Sequence, residues 1–247
     1  KGADIVIHGL HKTLPSPTQT ALLHVNSNIT DAESIAGQLA VFESSSPSYP
    51  LMAGIDYCIN LLYERSKELF EEYSDMLYNF SVRMKKLKHL KILRFGNDVN
   101  GEHPEIFEFD PGKIVVSTRN TSINGKELEK ILLKKYKLQI EMAMGDYVLA
   151  MTSIADTKEG FERFASALLD IDSELDYVPE ERAMQSSVLP ESVVPIYSAL
   201  KHEKEIIPFC QSVGCISVEY VYAYPPGVPL IVPGDIISAD IADEISY

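Results

Sequence analysis

Short apolar runs near the start of the chain predict two strands with a polar segment between them. Ile5–Ile7 and Ala21–Val25 are apolar and bounded by turn-forming residues, a pattern typical of buried strands. The loop expected between them carries His11 and Lys12. Loops at strand ends often carry chemistry because a rigid scaffold holds them in place. A desolvated lysine there can supply the neutral amine that Schiff-base chemistry needs.

After the second predicted strand, the spacing of apolar residues predicts two helices. Apolar residues at steps of three and four predict one long helix over about 51–90, whose stripe is expected to be core. A shorter helix ending near Phe42 precedes it, with Thr30 and Glu33 as an expected capping box. The intervening segment 43–50 contains two prolines and is expected to be non-helical.

The segment 91–175 alternates strand and helix patterns, which predicts an α+β unit with an open sheet covered on one face. A capping box at Asp156 and Glu159 is expected to start its second helix. Glu141 and Asp146 are interpreted as surface or cap carboxylates. The first predicted helix is Gly125–Tyr136, and the predicted strands are Lys91–Phe95, Glu105–Phe109, Lys113–Ser117, Leu138–Met142 and Tyr147–Thr152.

The last part of the chain is less regular. An acidic connector is expected over about 171–185, followed by a helix near Val193–His202. Four prolines and two glycines between Pro225 and Gly234 exclude regular helix and predict a stiff, extended path. These patterns predict three domains, over residues 1–90, 91–175 and 176–247.

The composition of the chain is that of a globular protein and argues against membrane-spanning and nucleic-acid-binding classes. With 247 residues and 45% apolar content, the chain can bury a sizeable core, and no apolar run is long enough to span a membrane. The net charge of −14 excludes a general nucleic-acid binder, which needs a basic face. The same charge fits either the attraction of cationic substrates or ordinary solubility.

The three cysteines have neither zinc-site spacing nor the even count of a disulfide framework, so a reducing cytoplasm is the expected location and no metal is expected. The chain begins at Lys1 without a charged and then apolar leader, which predicts no signal peptide. With no initiator Met and a lysine motif at residue 12, the chain is expected to be a piece of a longer protein.

The string His11-Lys12, with Gln19 and His24-Val25 downstream, resembles the cofactor-lysine segment of the ornithine/lysine/arginine decarboxylases. These are pyridoxal-phosphate enzymes of the aspartate-aminotransferase fold, called fold type I. The resemblance implies that Lys12 carries pyridoxal 5'-phosphate as a Schiff base. It also implies that His11 either packs beside the cofactor or its phosphate, or donates a proton. Gly9 occupies the slot where the family has a phosphate-binding serine.

Two further stretches resemble the same family. Ser44, Ser45 and Ser46 fit a hydroxyl-rich segment that reaches across a dimer interface towards the partner's cofactor phosphate, although a serine-rich linker has the same composition. Tyr224–Asp235 resembles the family's Tyr-Pro-Pro-Gly-x-Pro-Leu-x-x-Pro-Gly-Glu signature near the active-site entrance. Asp235 replaces the closing Glu, and an acid there is suited to pairing with the distal cation of a basic amino acid.

The resemblance implies an α/β fold: the back half of a fold type I large domain, an α+β small domain and a short C-terminal unit. It implies decarboxylation of a basic amino acid by a homodimer or higher oligomer with its active site at the interface. Arginine is the first choice, because the compact tail, with a short acidic end after Asp235, resembles the C-terminal half of the shorter biosynthetic-type arginine/lysine decarboxylases. Lysine is second and ornithine third. Without the front half, the chain alone is expected to be inactive. An aminotransferase and an inactive relative that serves as a binding or regulatory subunit remain alternatives.

Overall fold

The computed structural model describes residues 2–27, 29–93, 109–179, 189–224 and 227–246. The chain divides into two compact units, Lys1–Val178 and Pro179–Tyr247. The finer three-domain division stays a prediction. Within the described residues, no helix combines the length and apolar character needed to cross a membrane.

The first unit begins with an antiparallel hairpin, followed by two helices and then a mixed layer of strands and helices. Its elements, in chain order, are β1 (Ile5–Gly9), α1 (Leu10–Thr13), β2 (Ala21–Val25), α2 (Ala32–Phe42), α3 (Tyr49–Met84), β3 (Lys91–Ile92), β4 (Lys113–Ser117), α4 (Gly125–Tyr136), β5 (Met142–Met144), β6 (Tyr147–Met151) and α5 (Lys158–Ser173).

Strands β1 and β2 pair from Ile5↔Val25 to Gly9↔Ala21, which confirms both predicted strands. The expectation that they are buried is wrong for this chain, since the side chain of Ile7 is 75% exposed. Among the described strands, β1 and β2 pair only with each other, so the outer edge of each strand is unpaired in this part of the chain. The expected loop between them is also partly wrong, because its first residues form helix α1.

The N-cap of the second helix lies one residue after the predicted one. Asp31, rather than Thr30, is the N-cap of α2, and its carboxylate accepts the backbone N–H groups of Glu33 and Ser34. The hydroxyl and N–H of Ser34, followed by the N–H of Glu33, lower the pKa of the Asp31 carboxyl. A free carboxylate takes this role readily because it accepts two bonds and complements the positive end of the helix.

The long helix α3 is continuous over 36 residues. The predicted non-helical segment is shorter than expected, because Pro50 lies in the first turn of α3, where a missing N–H costs nothing. Its apolar stripe is core mainly towards the C-terminal end, at Leu77, Phe80 and Met84. The helix ends at Met84 instead of continuing to Leu90.

The early end of α3 has a visible cause in Asp172 on α5. This carboxylate is 3% exposed. It accepts the backbone N–H groups of Lys88, His89 and Leu90 at 2.8, 2.8 and 2.7 Å. Three charge-assisted hydrogen bonds to consecutive amides hold this turn in a non-helical path. Asp172 therefore joins the chain leaving α3 to the C-terminal part of α5.

The sheet of the first unit has the order β3-β4-β6-β5, with every neighbouring pair antiparallel. Alternate residues of β4 and β6 are buried, which confirms a sheet covered on one face. Helices α4 and α5 and the end of α3 share the core cluster on that face. Its largest members include Phe80, Ile114, Val116, Leu128, Leu132, Val148, Phe161, Phe164 and Leu168.

Strand β4 and helix α4 occupy the predicted residues. The strand predicted at Leu138–Met142 is displaced to β5, because the turn at Gly145 and Asp146 pairs Met144 with Tyr147. Helix α5 is capped by Thr157, whose hydroxyl accepts the N–H of Gly160, rather than by an Asp156 box. The strand predicted at 105–109 lies outside the described residues except for Phe109, as does part of the one at 91–95.

The second unit contains α6 (Ile196–Ala199), a 3-10 turn (Phe209–Gln211), β7 (Val221–Ala223), β8 (Val228–Ile231) and α7 (Ala239–Ser246). Strands β7 and β8 form an antiparallel hairpin from the predicted extended path. Pro195 limits the predicted helix to α6, because a proline disfavours helical backbone before it. The expected acidic end instead forms α7, which packs Ile241 with Ile231 and Ile237.

We expect Asp172→Ala to lower the free energy of unfolding by about 2–4 kcal/mol, because three backbone N–H groups lose their acceptor in a low-dielectric environment. Denaturant unfolding of the full-length protein measures this loss. Asp170→Ala is the matched control, since Asp170 lies exposed on the same helix, and its effect is expected to stay within about 0.5 kcal/mol. Equal losses for the two variants would contradict the assigned role.

Candidate active site

The segment that carries Lys12 is held by the residues on either side of it. Leu10 is 2% exposed, and its backbone N–H donates to the carbonyl oxygen of Thr20 at 3.1 Å. Thr20 is itself 1% exposed, and its hydroxyl donates to the carbonyl of Pro17 at 2.7 Å. These contacts fix the one-turn helix α1 against the start of β2.

His11 has a defined tautomer. Its Nδ1 lies 3.1 Å from the carbonyl oxygen of Thr20. Because a carbonyl oxygen only accepts, Nδ1 must carry the hydrogen, and neutral His11 keeps the Nε2 lone pair for another group. The same Thr20 oxygen thus holds both the backbone of α1 and the ring of its histidine.

Lys12 lies on α1 and extends towards the sheet of the same unit. Its Nζ donates to Oε1 of Glu141 at 3.1 Å, and the two side chains are 56% and 35% exposed. The sequence predicts Glu141 only as a surface or cap carboxylate and does not indicate this contact. The two residues are 129 positions apart, so no local pattern could have indicated it.

Gly9 is the N-cap of α1, with φ −76° and ψ 93°. These angles are open to any L-residue, so the backbone does not require glycine here. A Cβ at this position would lie 3.8 Å from Cε1 of His11 and 3.9 Å from Cγ of Lys12, which are ordinary van der Waals distances. A serine therefore fits at position 9.

Two more histidines lie on the neighbouring strands. The rings of His8 and His24 meet edge to face, with centroids 4.7 Å apart. Nε2 of His24 is buried and has no hydrogen-bond partner among the residues that the structure describes. From the sequence, His24 is indicated only as part of the family resemblance. In the same described ranges, no cluster of three or more His, Cys, Asp or Glu side chains has the arrangement of a metal site.

The serine-rich segment lies between α2 and α3, with Ser44, Ser45 and Ser46 all exposed. The Ser44 hydroxyl donates to the carbonyl of Ser46 at 3.3 Å and accepts the N–H of Ser46 at 3.2 Å. The two hydrogen bonds of this turn use neither the hydroxyl of Ser45 nor that of Ser46. A role for the three serines in binding phosphate stays a prediction.

Asp235 belongs to the second unit and is 3% exposed. Its Oδ2 accepts the backbone N–H of Val232 at 2.9 Å, while its own N–H donates to the carbonyl of Val232 at 3.1 Å. The preceding Gly234 has φ +100° and approaches the carbonyl of Val194 too closely for a side chain. The carboxylate thus closes a tight turn, and a contact with substrate stays a prediction.

Comparison with known proteins extends over both units. The family model for the Orn/Lys/Arg decarboxylase major domain matches residues 2–145, and the model for the Orn/Lys/Arg decarboxylase C-terminal domain matches residues 181–247. Arginine decarboxylase of Bacillus anthracis is 27% identical over 242 residues, covering 97% of this chain and 48% of the relative. Arginine decarboxylase of Bacillus subtilis is 25% identical over 251 residues, covering 100% and 50% respectively.

A solved structure agrees with these matches. The constitutive lysine decarboxylase of E. coli superposes with a TM-score of 0.78 at 18% identity, over 98% of this chain and 45% of the other. This likeness shows a shared fold. The chain spans about half the length of the curated relatives it matches. With the family models matching both its major-domain segment and its C-terminal segment, the chain belongs to the Orn/Lys/Arg decarboxylase family.

Proposed function

We propose that this chain is the lysine-bearing half of a decarboxylase that uses pyridoxal 5'-phosphate to decarboxylate a basic amino acid. The observation that carries the proposal is the partly exposed side chain of Lys12 on a helix held in place by its neighbours, next to His11, whose ring is oriented by the carbonyl of Thr20. The relatives named arginine decarboxylase support this class of reaction. The fold type I assignment and a location in the cytoplasm are part of the same proposal.

The side chains around Lys12 fit this cofactor. A primary amine is the group that bonds covalently to its aldehyde, and the side chain of Lys12 is 56% exposed. The ring of His11 offers a hydrogen-bonding group beside Lys12, and the proposed donors to the phosphate include serine hydroxyls from a partner subunit. When bound, pyridoxal phosphate supplies an electron sink that stabilises the carbanion left by loss of CO2.

Each residue of this chain has a stated part in the proposal. Lys12 holds the cofactor covalently. His11, oriented by Thr20, packs beside the cofactor, and either His11 or Lys12 gives the proton to the product carbon. Gly9 leaves its backbone N–H as the donor where the family has a serine hydroxyl. Ser44–Ser46 contribute hydroxyls to the phosphate of a partner subunit, so the active enzyme is a homodimer or higher oligomer.

Arginine is the proposed substrate, supported by the curated relatives of that name, with lysine second. The acid at position 235 is the proposed contact for the substrate's distal cation. One alternative has its own support: the missing hydroxyl at Gly9 and the use of the Asp235 carboxylate inside a turn both favour an inactive relative that acts as a binding subunit.

We expect Lys12→Ala to abolish covalent attachment of pyridoxal phosphate in the full-length protein, because no other group replaces the amine. Borohydride reduction followed by mass spectrometry of the Lys12 peptide measures attachment, and CO2 release from arginine, lysine and ornithine identifies the substrate. Lys67→Ala, at an exposed lysine of α3, is the control and is expected to behave as wild type. Wild-type protein without attachment at Lys12 would overturn the proposal, and attachment without CO2 release would favour the inactive relative or an aminotransferase.

We expect Gly9→Ser to tighten binding of pyridoxal phosphate about tenfold or more, since a hydroxyl that bonds to a charged phosphate contributes about 1.5–3 kcal/mol. The space and backbone angles at position 9 accept the new side chain. Equilibrium titration of the cofactor-free, full-length protein gives the affinity. Gly9→Ala adds the same Cβ without a donor, and equal affinities for the Ser and Ala variants would rule out a phosphate contact at this position.

Two substitutions at Asp235 separate its turn from its proposed contact with substrate. Asp235→Ala is expected to lower the free energy of unfolding by about 1–3 kcal/mol, because the partly buried N–H of Val232 loses its acceptor. Asp235→Asn keeps an oxygen for that N–H, so its melting temperature should stay near wild type. If the charge binds substrate, the Asn variant raises KM for arginine. An unchanged KM would remove Asp235 from the site.

A further inference from the structure

Glu141 is held firmly where it meets Lys12. Its backbone N–H donates to the carbonyl of Leu149 at 3.0 Å, which extends the pairing of β5 with β6 by one residue. The neighbouring Ile140 is 5% exposed and belongs to the core of the first unit. The carboxylate therefore projects from an ordered sheet edge and does not depend on a loose loop.

The lysine side of the contact is equally well anchored. Leu10 and Thr20 fix helix α1, and the Cγ of Lys12 lies 3.9 Å from the position that a Cβ at Gly9 would take. Nζ then reaches Oε1 of Glu141 at 3.1 Å. Two elements far apart in sequence thus converge on one amine, and this amine is the group with a proposed covalent role.

We propose that Glu141 is a positioning residue that holds the free amine of Lys12 and competes with the cofactor for it. The identity of the competing group rests on the proposed function, whereas the ion pair does not. A half-exposed pair adds little to folding stability. The ion pair instead lowers the reactivity of the Lys12 amine, because a charge-assisted hydrogen bond must break before Nζ can react with any electrophile.

The experiment uses cofactor-free, full-length protein and trace acetic anhydride, with acetylation of each lysine measured by mass spectrometry. Glu141→Ala is expected to raise the rate of Lys12 acetylation about two- to fivefold, the range for losing a partly exposed ion pair. Glu141→Gln is expected to give a smaller rise, since the amide oxygen still accepts a hydrogen bond. The Gln variant also keeps the size of the side chain if Glu141→Ala impairs folding.

A matched ion pair in the same unit supplies the control. Lys135 Nζ lies 3.3 Å from Glu174 Oε1, with side chains 54% and 69% exposed. Glu174→Ala should raise acetylation of Lys135 and leave Lys12 at its wild-type rate. Raising the salt concentration should speed acetylation of Lys12 in wild type but not in Glu141→Ala, because salt screens exposed charges.

The second readout is the rate at which added pyridoxal phosphate attaches to Lys12, which should increase with Glu141→Ala in the same proportion as acetylation. An unchanged rate of Lys12 acetylation in both Glu141 variants, with a response of Lys135 to Glu174→Ala, would overturn the proposal. Failure of pyridoxal phosphate to attach in wild type would instead overturn the proposed function, while acetylation still decides whether Glu141 holds the amine.

Discussion

The buried carboxylate of Asp172 determines how the helices of the first unit are joined to its sheet. By accepting three consecutive backbone N–H groups, it holds the turn after α3 and directs the chain into β3. The same turn delivers Leu90 to the core, where Phe80 stacks on Phe164 with ring centroids 5.3 Å apart. A buried charge is tolerated here because its acceptor capacity is filled by amides that would otherwise be unsatisfied.

The packing around Asp172 also affects the candidate active site, because it orders the edge of the sheet that carries Glu141. The packing of α3, α4 and α5 on one face of the sheet fixes β5 and β6, and with them the residue at which Glu141 projects. Lys12 lies on α1, which connects β1 to β2 and is held in place by Leu10 and Thr20. The distance between Nζ and the carboxylate therefore depends on two separately ordered elements.

The family relationship and the local geometry address different questions. Matches over residues 2–145 and 181–247 establish the family. The geometry describes how individual side chains are held, including the tautomer of His11 and the turn closed by Asp235. Gly9 and Asp235 differ from the residues that the resemblance implies at these positions, and each has a structural setting that makes its effect measurable.

Much of the secondary structure was determined by the sequence alone, because apolar periodicity reports which face of a local element is buried. The strand pair near Lys12, the helix Gly125–Tyr136 and the covered face of the sheet were predicted from such patterns. Lys12 and His11 were identified from their motif. Only the tertiary structure revealed the end of α3, the exposed hairpin and the partner of Lys12. These depend on contacts between residues distant in sequence, such as Asp172 with Leu90 and Glu141 with Lys12, which no local spacing encodes.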